Sequence, residues 1–378
     1  MSETPTTTDV ALIGAGPIGL ELAANLKDQG VDYLHFDAGT VGQTITWYPK
    51  RVQFFSSPDR IAICGVPLNT ADQTKATREE YLAYLRGIVE QFDLPIRTYE
   101  RVERIERNGD AFVLHTTSRD GRHEIAARRV IDALGDMQRP RASRVEGEDQ
   151  PHVRHYFDAP HAYFGQNLLI VGGRNSAVEA AIRCHRAGAK VALSYRGETF
   201  PGAVKYWLKP EIEWLIKSGA VGFYPRTVPA RIGRGEVELV RAGDGSSNAR
   251  PQQWAGFSGA GDEPGGERVK VAADFVLLLV GYEMDSSLLA SAGVQLHGPN
   301  RAPRIDHGTM QTNVPGLYVA GTAVAGTQVR FKLFIENAHP HVVKIMRAVT
   351  GHDPRHVNPL AFSRLHEAPM EERADAET

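Results

Sequence analysis

One pattern occurs twice in this chain: a short apolar strand, a glycine-rich turn, a helix and a second strand. The first copy has an apolar run at 10–13, the turn Gly14-Ala15-Gly16-Pro17-Ile18-Gly19 and a strand that ends at Asp37. A short apolar run bounded by glycine is typical of a buried parallel strand. Parallel neighbours need a crossover helix, so this pattern restricts the chain to an α/β fold.

The glycines of the first turn have the spacing G-x-G-x-x-G. In this motif the first glycine, Gly14, makes the turn, and the second, Gly16, lets the backbone approach a pyrophosphate. The third, Gly19, lets helix and strand pack closely. Asp37 follows at the distance expected of a carboxylate that binds a ribose diol. These features predict a dinucleotide site, and the alternative is a plain glycine turn.

The second copy departs from the motif in a way that bears on the nucleotide. Its turn is Gly172-Gly173-Arg174-Asn175-Ser176-Ala177, so that arginine replaces the middle glycine. The next strand ends in Tyr195-Arg196, where NAD-specific sites hold an acid. No carboxylate repels a 2′-phosphate there, and a guanidinium can pair with it. The second site therefore predicts NADPH, unless Arg196 is a surface arginine by coincidence.

Composition excludes several other classes of protein. With 43 Lys+Arg against 45 Asp+Glu, the chain lacks the basic excess that nucleic acid or an anionic membrane requires. The two cysteines, Cys64 and Cys184, cannot form a disulfide scaffold, a C-x-x-C pair or a four-thiolate zinc site. His152, His155 and His161 lack carboxylate or thiolate support, so no metal site is predicted.

The start of the chain and its apolar runs indicate a location. Residues 1–9 are polar and acidic, without the basic flank and apolar core of a signal peptide. The longest apolar run, 275–280, is far shorter than the roughly 20 residues that span a bilayer. We therefore expect a cytoplasmic protein that is not bound to a membrane.

The order of site, strands, second site and return strand predicts two Rossmann-like dinucleotide-binding domains, the second inserted into the first. The expected borders are 1–140 and 283–351 for the first domain, 141–282 for the inserted domain and 352–378 for a C-terminal tail. The segment 243–267 is rich in Gly, Ser, Asn and Pro and is expected to be an unstructured loop.

Further motifs give the chain a resemblance to a known family. They include Tyr48-Pro49, Phe54-Phe55-Ser56-Ser57, His155-Tyr156-Phe157, Tyr195-Arg196-Gly197, Gly281-Tyr282 and Phe334-Ile335-Glu336-Asn337. With the two turns, they make the chain resemble thioredoxin reductase-like flavoproteins with two dinucleotide-binding domains, and among these the bacillithiol disulfide reductase family. The resemblance implies FAD in the first site and NADPH in the second. It also implies hydride transfer from nicotinamide to flavin and electron transfer onward to a disulfide.

The resemblance also implies which residues hold the cofactors. For FAD these are Gly14, Gly16, Pro17, Ile18, Gly19, Asp37, Gly135, Gly321 and Thr322, and for NADPH Gly172, Gly173, Arg174, Asn175, Ser176, Tyr195 and Arg196. Thr322 stands where related flavoproteins have an aspartate that binds the ribityl chain, so a hydroxyl replaces a charge. The segment 323–337 is expected to face the flavin ring, with a helix N-terminus stabilising negative charge there.

One position departs from that family's chemistry. Ile18 stands where its members commonly carry the redox cysteine, and thiol–disulfide exchange needs a thiolate. Cys64 lies in an apolar segment and is expected to be a buried, inert thiol, and Cys184 is expected to be structural. The catalytic residues are therefore left open. His339, His341 and Cys64 are the candidates, with a surface or capping role as the alternative for both histidines.

The sequence thus predicts an NADPH-dependent FAD oxidoreductase with a small-molecule disulfide, a quinone or an electron-carrier protein as acceptor. Ferredoxin– or flavodoxin–NADP reductases of the thioredoxin reductase type need no redox cysteine and are the nearest alternative. Flavin monooxygenation is disfavoured, because Pro151 occupies the position where the G-x-x-x-H stretch of those enzymes needs histidine. A redox sensor that keeps FAD without catalysis is the alternative outside enzymology. The resemblance allows a homodimer, although no sequence feature selects one.

Overall fold

The computed structural model describes residues 6–242, 268–329 and 332–362. They form two compact units, which divide the chain after residue 139 and after residue 281. Unit 1 holds the residues up to 47, 51–139 and those from 282 onward, and unit 2 holds 48–50 and 140–281. The predicted loop 243–267 and residues 363–378 of the predicted tail lie outside the described residues.

The first segment of unit 1 contains the first predicted repeat, as β1, α1 and β2. The elements up to the unit boundary are β1 (Thr6–Ile13), α1 (Pro17–Asp28), β2 (Tyr33–Asp37), α2 (Gln43–Thr46), α3 (Pro58–Ile61), α4 (Arg78–Gln91), β3 (Ile96–Thr98), β4 (Arg101–Asn108), β5 (Ala111–Ser118), β6 (Gly121–Asp132) and β7 (Arg139–Pro140). Thr77 and Glu80 form a capping box that starts α4, each side chain accepting the other's backbone N–H.

Unit 2 contains the second predicted repeat, as β9, α5 and β10. Its elements are β8 (Val153–Arg154), β9 (Asn167–Val171), α5 (Asn175–Arg186), β10 (Lys190–Tyr195), α6 (Lys209–Lys217), β11 (Gly222–Pro225), β12 (Thr227–Ile232), β13 (Gly235–Arg241), β14 (Val269–Ala273) and β15 (Phe275–Leu278). Helix α5 begins at Asn175, so the glycine turn itself supplies the first residues of the helix.

The chain then returns to unit 1. The remaining elements are β16 (Tyr282–Glu283), α7 (Ser287–Ser291), β17 (Leu296–His297), β18 (Ala302–Pro303), β19 (Leu317–Val319) and α8 (His339–Thr350), and short 3-10 helices lie at Pro160–Tyr163, Gly321–Ala325, Ile335–Asn337 and Pro359–Phe362. Helical periodicity begins at Ile335, but the α-helix starts at His339, after a 3-10 turn. Pro340 lies in the first turn of α8, where its missing N–H costs no hydrogen bond.

The main sheet of unit 1 has the strand order β3-β2-β1-β6-β5-β4, and β19 also pairs with β6. Strand β6 is parallel to both β1 and β19, with Asp132 in register with Ile13 and with Val319. The carboxyl ends of these three strands therefore meet at one edge. In parallel α/β sheets, ligands bind outside this edge.

Unit 2 is built on a parallel sheet with the order β11-β10-β9-β15-β8, beside an antiparallel sheet of β12, β13 and β14. One core cluster joins the buried face of α5 to the parallel sheet, through Ala181 and Leu277 among others. A second cluster joins the parallel to the antiparallel sheet, through Val237 and Val276. Together with unit 1, this architecture confirms the predicted α/β fold class.

The described part of the predicted C-terminal tail is attached to unit 1. The side chain of Asn25, on α1, donates to the carbonyl of His356 (2.7 Å) and accepts from its N–H (2.9 Å). Asn358 is buried, and its side chain donates to the carbonyls of Asp59 (2.8 Å) and Ala62 (2.7 Å). The described tail residues, 352–362, therefore form a strap that is attached to unit 1.

Candidate functional site

The first glycine turn has two crowded positions and one open position. A Cβ on Gly14 would lie 2.6 Å from the carbonyl oxygen of Ala133, and one on Gly19 would lie 1.9 Å from that of Gly14. A Cβ on Gly16 would meet nothing within 4 Å. Gly16 is the N-cap of α1, where backbone N–H groups lack helical partners and favour an anion. The turn therefore fits the diphosphate of a dinucleotide.

Asp37 lies at the end of β2, beside this turn. Its Oδ2 accepts from the N–H of Ala15 (2.7 Å) and its Oδ1 from that of Gly39 (2.8 Å). Burial raises the pKa of Asp37, while these two hydrogen bonds and the charge of Arg101 oppose the rise. Each carboxylate oxygen can accept two hydrogen bonds, so each keeps one acceptor position for a ribose hydroxyl.

The second turn repeats this backbone geometry. A Cβ on Gly172 would lie 2.5 Å from the carbonyl oxygen of Leu279 and 3.0 Å from the Cβ of Ala177. Arg174 is the N-cap of α5 with an extended backbone (φ −106°, ψ −173°), much like Gly16 (φ −81°, ψ −177°). Arg174 is exposed. The replacement of the middle glycine by arginine therefore does not change where helix α5 begins.

Tyr195 packs its ring over the second turn. A Cβ on Gly173 would lie 2.4 Å from Cδ2 of this ring, and one on Gly197 would lie 2.5 Å from Cε1. The ring also stacks on Phe200, with ring centroids 6.1 Å apart. The ring of Tyr195 therefore lies directly beside Gly173, and it fits there because Gly173 and Gly197 have no side chains.

Arg196 lies in a cluster of positive charge. Burial lowers its pKa, and the charges of Arg174 and Arg141 lower it further, against an opposing effect of Tyr195. Guanidinium groups that repel one another favour an anion between them. Arg141 was not predicted as a site residue, because no motif surrounds it. Its N–H donates to the carbonyl of Gly281 (3.0 Å), two residues beyond Leu279.

Asn175 and Ser176 differ in what their side chains contact. The side chain of Asn175 accepts from the N–H of Lys205 (2.7 Å) and donates to the carbonyl of Ala203 (3.3 Å). It therefore holds the loop before α6 against the start of α5. Ser176 is exposed in the first turn of α5, where backbone N–H groups lack helical partners and favour an anion.

Four predicted FAD residues come together at the edge where β1, β6 and β19 end. A Cβ on Gly321 (φ +69°) would lie 3.7 Å from the side chain of Ile18. A Cβ on Gly135 (φ +76°) would lie 3.3 Å from Oγ1 of Thr322. Pro17 begins α1 next to Ile18 and is half-buried. The first turn and the segment after β19 thus form one site within unit 1.

Two acidic residues near this edge were missed by the sequence reasoning. Burial raises the pKa of Asp132 to about 6, and Oδ1 of this residue accepts from the N–H of Leu134 (2.9 Å). Asp136 is also buried, and its Oδ2 accepts from Nε2 of Gln328 (2.9 Å). The available signal was an acid at the end of a buried strand, Asp132, followed by a second acid directly after Gly135.

His339 is fully buried and uses both ring nitrogens. Nδ1 lies 2.7 Å from Oε2 of Glu21, and Nε2 lies 3.0 Å from the carbonyl oxygen of Arg60. Burial lowers the pKa of His339, but the charge and hydrogen bond of Glu21 and the bond to Arg60 outweigh this and raise it. Because both neighbours are acceptors, the ring is held as a double donor. This geometry favours a structural role over proton transfer to a substrate.

His341 is also buried but is held in the neutral form. Its Nδ1 accepts from the N–H of Gly321 (3.2 Å). Burial, and then the positive charges of Lys344, His307 and His339, lower its pKa to about 3. A neutral ring with Nδ1 as acceptor positions Gly321 and is a weak proton donor at neutral pH.

Both cysteines are buried and free. Burial and the charge of Glu21 raise the pKa of Cys64 well above its usual value. Burial raises that of Cys184 to about 12, against the charge of Arg183. A raised pKa and lack of access both disfavour a reactive thiolate. Within the described ranges, no group of acids, histidines and cysteines could hold a metal ion, and no helix is long and apolar enough to cross a membrane.

Comparisons with known proteins agree with this geometry. The model of the pyridine nucleotide-disulphide oxidoreductase family matches residues 11–321. The bacilliredoxin reductase Bdr of Bacillus subtilis (strain 168) is 31% identical over 331 residues, 87% of this chain and 94% of that protein. The solved structure of bacillithiol disulfide reductase Bdr from Bacillus cereus matches with a TM-score of 0.82 and 30% identity, over 92% of this chain and 99% of that one. A ferredoxin–NADP reductase of Ignicoccus hospitalis is 26% identical over 83% of this chain and 89% of that protein.

Two Rossmann-like units, each with a dinucleotide turn, define the class of two-domain flavoprotein oxidoreductases. The chain belongs to the pyridine nucleotide-disulphide oxidoreductase family. It is an oxidoreductase, and its cofactors are FAD and NADPH, so the resemblance, the enzyme class and both cofactor predictions are confirmed. The assignment of individual residues to the two cofactors stays a prediction.

Proposed function

We propose that the first turn holds the diphosphate of FAD and the second that of NADPH. The observation that carries this proposal is the shared geometry of the turns, in which the first glycine is crowded and the extended N-cap faces open space. Asp37 would accept from the adenosine ribose of FAD. Arg196, with Arg174 and Arg141, would bind the 2′-phosphate or diphosphate of NADPH. Tyr195 would offer its ring to the neighbouring nucleoside.

Bound in these two sites, FAD and NADPH would supply the chemistry of hydride transfer and of electron delivery to an acceptor. The residues of this chain hold and orient the cofactor for that exchange. Gly321 adopts a left-handed backbone that His341 fixes through its N–H, and Thr322 follows it. Helix α8 begins two residues before His341, so its dipole adds positive potential at its N-terminus.

We further propose that the acceptor receives its electrons without help from an enzyme thiol. Cys64 and Cys184 are the two cysteines of the chain, and both are buried with raised pKa values. Two homologues at 30% identity or more bear the names bacilliredoxin reductase and bacillithiol disulfide reductase. The favoured acceptor is therefore a low-molecular-weight disulfide of the bacillithiol type, reduced directly at the flavin.

The buried thiols also favour a second candidate, an electron-carrier reductase. A ferredoxin–NADP reductase is among the relatives. One-electron transfer to a carrier needs no thiol.

A quinone acceptor, a homodimeric state and a cytoplasmic location stay predictions from the sequence.

The experiment begins with the absorption spectrum of the purified full chain, which should show bound flavin. Anaerobic NADPH should bleach the flavin band in the dead time of mixing or within seconds, and NADH should act far more slowly. Bacillithiol disulfide, ferredoxin, flavodoxin and a soluble quinone are then added in turn to the reduced protein. A colourless protein that takes up no FAD, or equal bleaching by both nucleotides, would contradict the cofactor assignments.

A further inference from the structure

Arg226 lies beside the candidate nucleotide residues of unit 2. Strand β11 is parallel to β10, and Pro225, the last residue of β11, is in register with Tyr195, the last residue of β10. Arg226 therefore follows β11 where Arg196 follows β10, and its N–H donates to the carbonyl of Gly197 (3.0 Å). Because ligands bind outside the carboxyl ends of parallel strands, Arg226 lies at the edge where the nucleotide is proposed to bind.

The backbone of Arg226 is fixed in the left-handed region (φ +54°), which a residue with a side chain seldom adopts. Arg226 is the single residue between β11 and β12, and its carbonyl accepts from the N–H of Ala242 (2.7 Å). The hydroxyl of Ser194, on β10, donates to the carbonyl of Thr227, the first residue of β12 (3.2 Å). The turn that carries Arg226 is therefore held against β10.

Glu198 is the carboxylate nearest to Arg196 in the sequence, two residues after it. Sites for NAD hold an acid near the end of this strand, where the carboxylate accepts from the ribose hydroxyls. The same charge would repel the 2′-phosphate that distinguishes NADPH from NADH. The side chain of Glu198 is 67% exposed, so burial does not suppress its charge. An acid at this place therefore conflicts with a preference for NADPH unless a positive group compensates it.

Arg226 supplies this compensation. Its Nη2 lies 2.5 Å from Oε2 of Glu198, so the two side chains together carry no net charge. Both side chains are largely exposed, and an ion pair of this kind contributes little to stability. The pair can therefore be broken while the fold stays intact, and its effect on nucleotide binding can be measured.

We propose that Arg226 determines the preference for NADPH over NADH, because it neutralises Glu198 and so removes a charge that would repel the 2′-phosphate. This inference rests on the proposed binding of NADPH at the second turn. Arg226 acts through Glu198 and is a positioning residue rather than a ligand of the phosphate. In Arg226→Gln, Glu198 carries an uncompensated charge, which disfavours NADPH and can accept from the 2′- and 3′-hydroxyls of NADH.

The test measures the dissociation constants of NADP⁺ and NAD⁺ by isothermal titration calorimetry with the oxidised, full-length holoprotein. Arg226→Gln should weaken NADP⁺ binding by about fivefold, the size expected of one pair of exposed charges, and should not weaken NAD⁺ binding. The loss should shrink at about 0.5 M NaCl, because salt screens exposed charges. Arg226→Lys keeps the positive charge and should bind NADP⁺ within about twofold of the wild type.

The double variant Glu198→Gln/Arg226→Gln separates neutralisation from direct contact with the phosphate. It should bind NADP⁺ within about twofold of the wild type, because no acid is left to neutralise. Wild-type NADP⁺ affinity in Arg226→Gln, or a double variant as weak as Arg226→Gln, would overturn the inference. If Arg226→Gln does not fold, Glu198→Gln decides: it should bind NADP⁺ at least as tightly as the wild type, and weaker binding refutes the inference.

Arg186→Gln is the matched control. The Arg186 side chain is also largely exposed and pairs with Glu211 (2.6 Å), but it lies at the end of α5 opposite to the glycine turn. This variant should change neither dissociation constant. A wild-type chain that binds NAD⁺ as tightly as NADP⁺ would instead refute the proposed function.

Discussion

The imidazole of His339 and the carboxylate of Glu21 form a hydrogen-bonded pair across 2.7 Å, and neither side chain has any exposed surface. The other oxygen of Glu21 accepts from the N–H of Cys64 (3.0 Å) and that of Asn358 (2.7 Å). One carboxylate thus connects α1, α8, the loop that carries Cys64 and the C-terminal strap. Since α1 and α8 both begin near the candidate FAD site, this network holds the two helices of that site against each other.

The first prediction concerns Glu21→Gln. Removing one charge of a buried pair leaves the other uncompensated, and we expect a loss of about 3 kcal/mol in the free energy of unfolding. Urea denaturation of the holoprotein measures it. The control is Asp93→Asn, which breaks the exposed Lys27–Asp93 ion pair and should leave the free energy of unfolding nearly unchanged. Equal losses in the two variants would mean that the buried Glu21–His339 pair contributes no more to stability than an exposed ion pair.

The second prediction is the pH dependence that His339 gives to stability. The pKa of His339 is raised above the usual 6.5 in the folded state. Its contribution to the free energy of unfolding is therefore fully present below pH 6.5 and is lost as the pH rises through the pKa of the folded state. The free energy of unfolding should therefore fall from pH 6.5 upward more steeply in the wild type than in His339→Gln. His341 has a lowered pKa of about 3, so its contribution has the opposite sign and is lost as pH falls below 6.5. Parallel curves for wild type and His339→Gln would count against this assignment.

The third prediction compares two glycines of one turn. Gly19→Ala places a Cβ 1.9 Å from a backbone oxygen and should unfold or strongly destabilise unit 1. Gly16→Ala meets no protein atom within 4 Å, so the thermal midpoint of the apoprotein should change little. FAD affinity should nevertheless drop in Gly16→Ala, because the methyl group enters the space reserved for phosphate. Wild-type FAD affinity in a folded Gly16→Ala protein would show that the diphosphate lies elsewhere.

The fourth prediction addresses nucleotide choice at Arg196. Replacing it with alanine should raise the KM for NADPH by about tenfold or more, the effect of one charge-assisted hydrogen bond, and leave the KM for NADH nearly unchanged. Steady-state rates with each nucleotide measure this. Arg186→Ala, which breaks an ion pair with Glu211 elsewhere on unit 2, serves as the control and should change neither KM. An equal rise for both nucleotides in Arg196→Ala would refute a phosphate contact.

The two glycine turns were predictable because each glycine has a steric role within the turn, and the spacing of the motif reveals that role. The α/β class followed from these turns, and the family and both cofactors followed from the resemblance that the turns and the further motifs carry; all are confirmed. The contacts of Asp136 and Arg141 were not predictable, because their partners Gln328 and Gly281 are distant in sequence. The same holds for Glu21, which looks like an ordinary helix residue until α8 and the strap fold against it. Buried polar networks of this kind depend on tertiary packing, which local patterns do not report.

The central claim is that electrons pass from flavin to acceptor without an enzyme thiol. It is tested by stopped-flow reoxidation of the NADPH-reduced Cys64→Ser/Cys184→Ser double variant under anaerobic conditions, with bacillithiol disulfide and, separately, ferredoxin as acceptor. Because both thiols are buried with raised pKa values, we predict that the acceptor that reoxidises the wild type will reoxidise the variant within about twofold of the wild-type rate. A folded, flavin-bound variant that is reduced normally but reoxidised at least tenfold more slowly would contradict the claim.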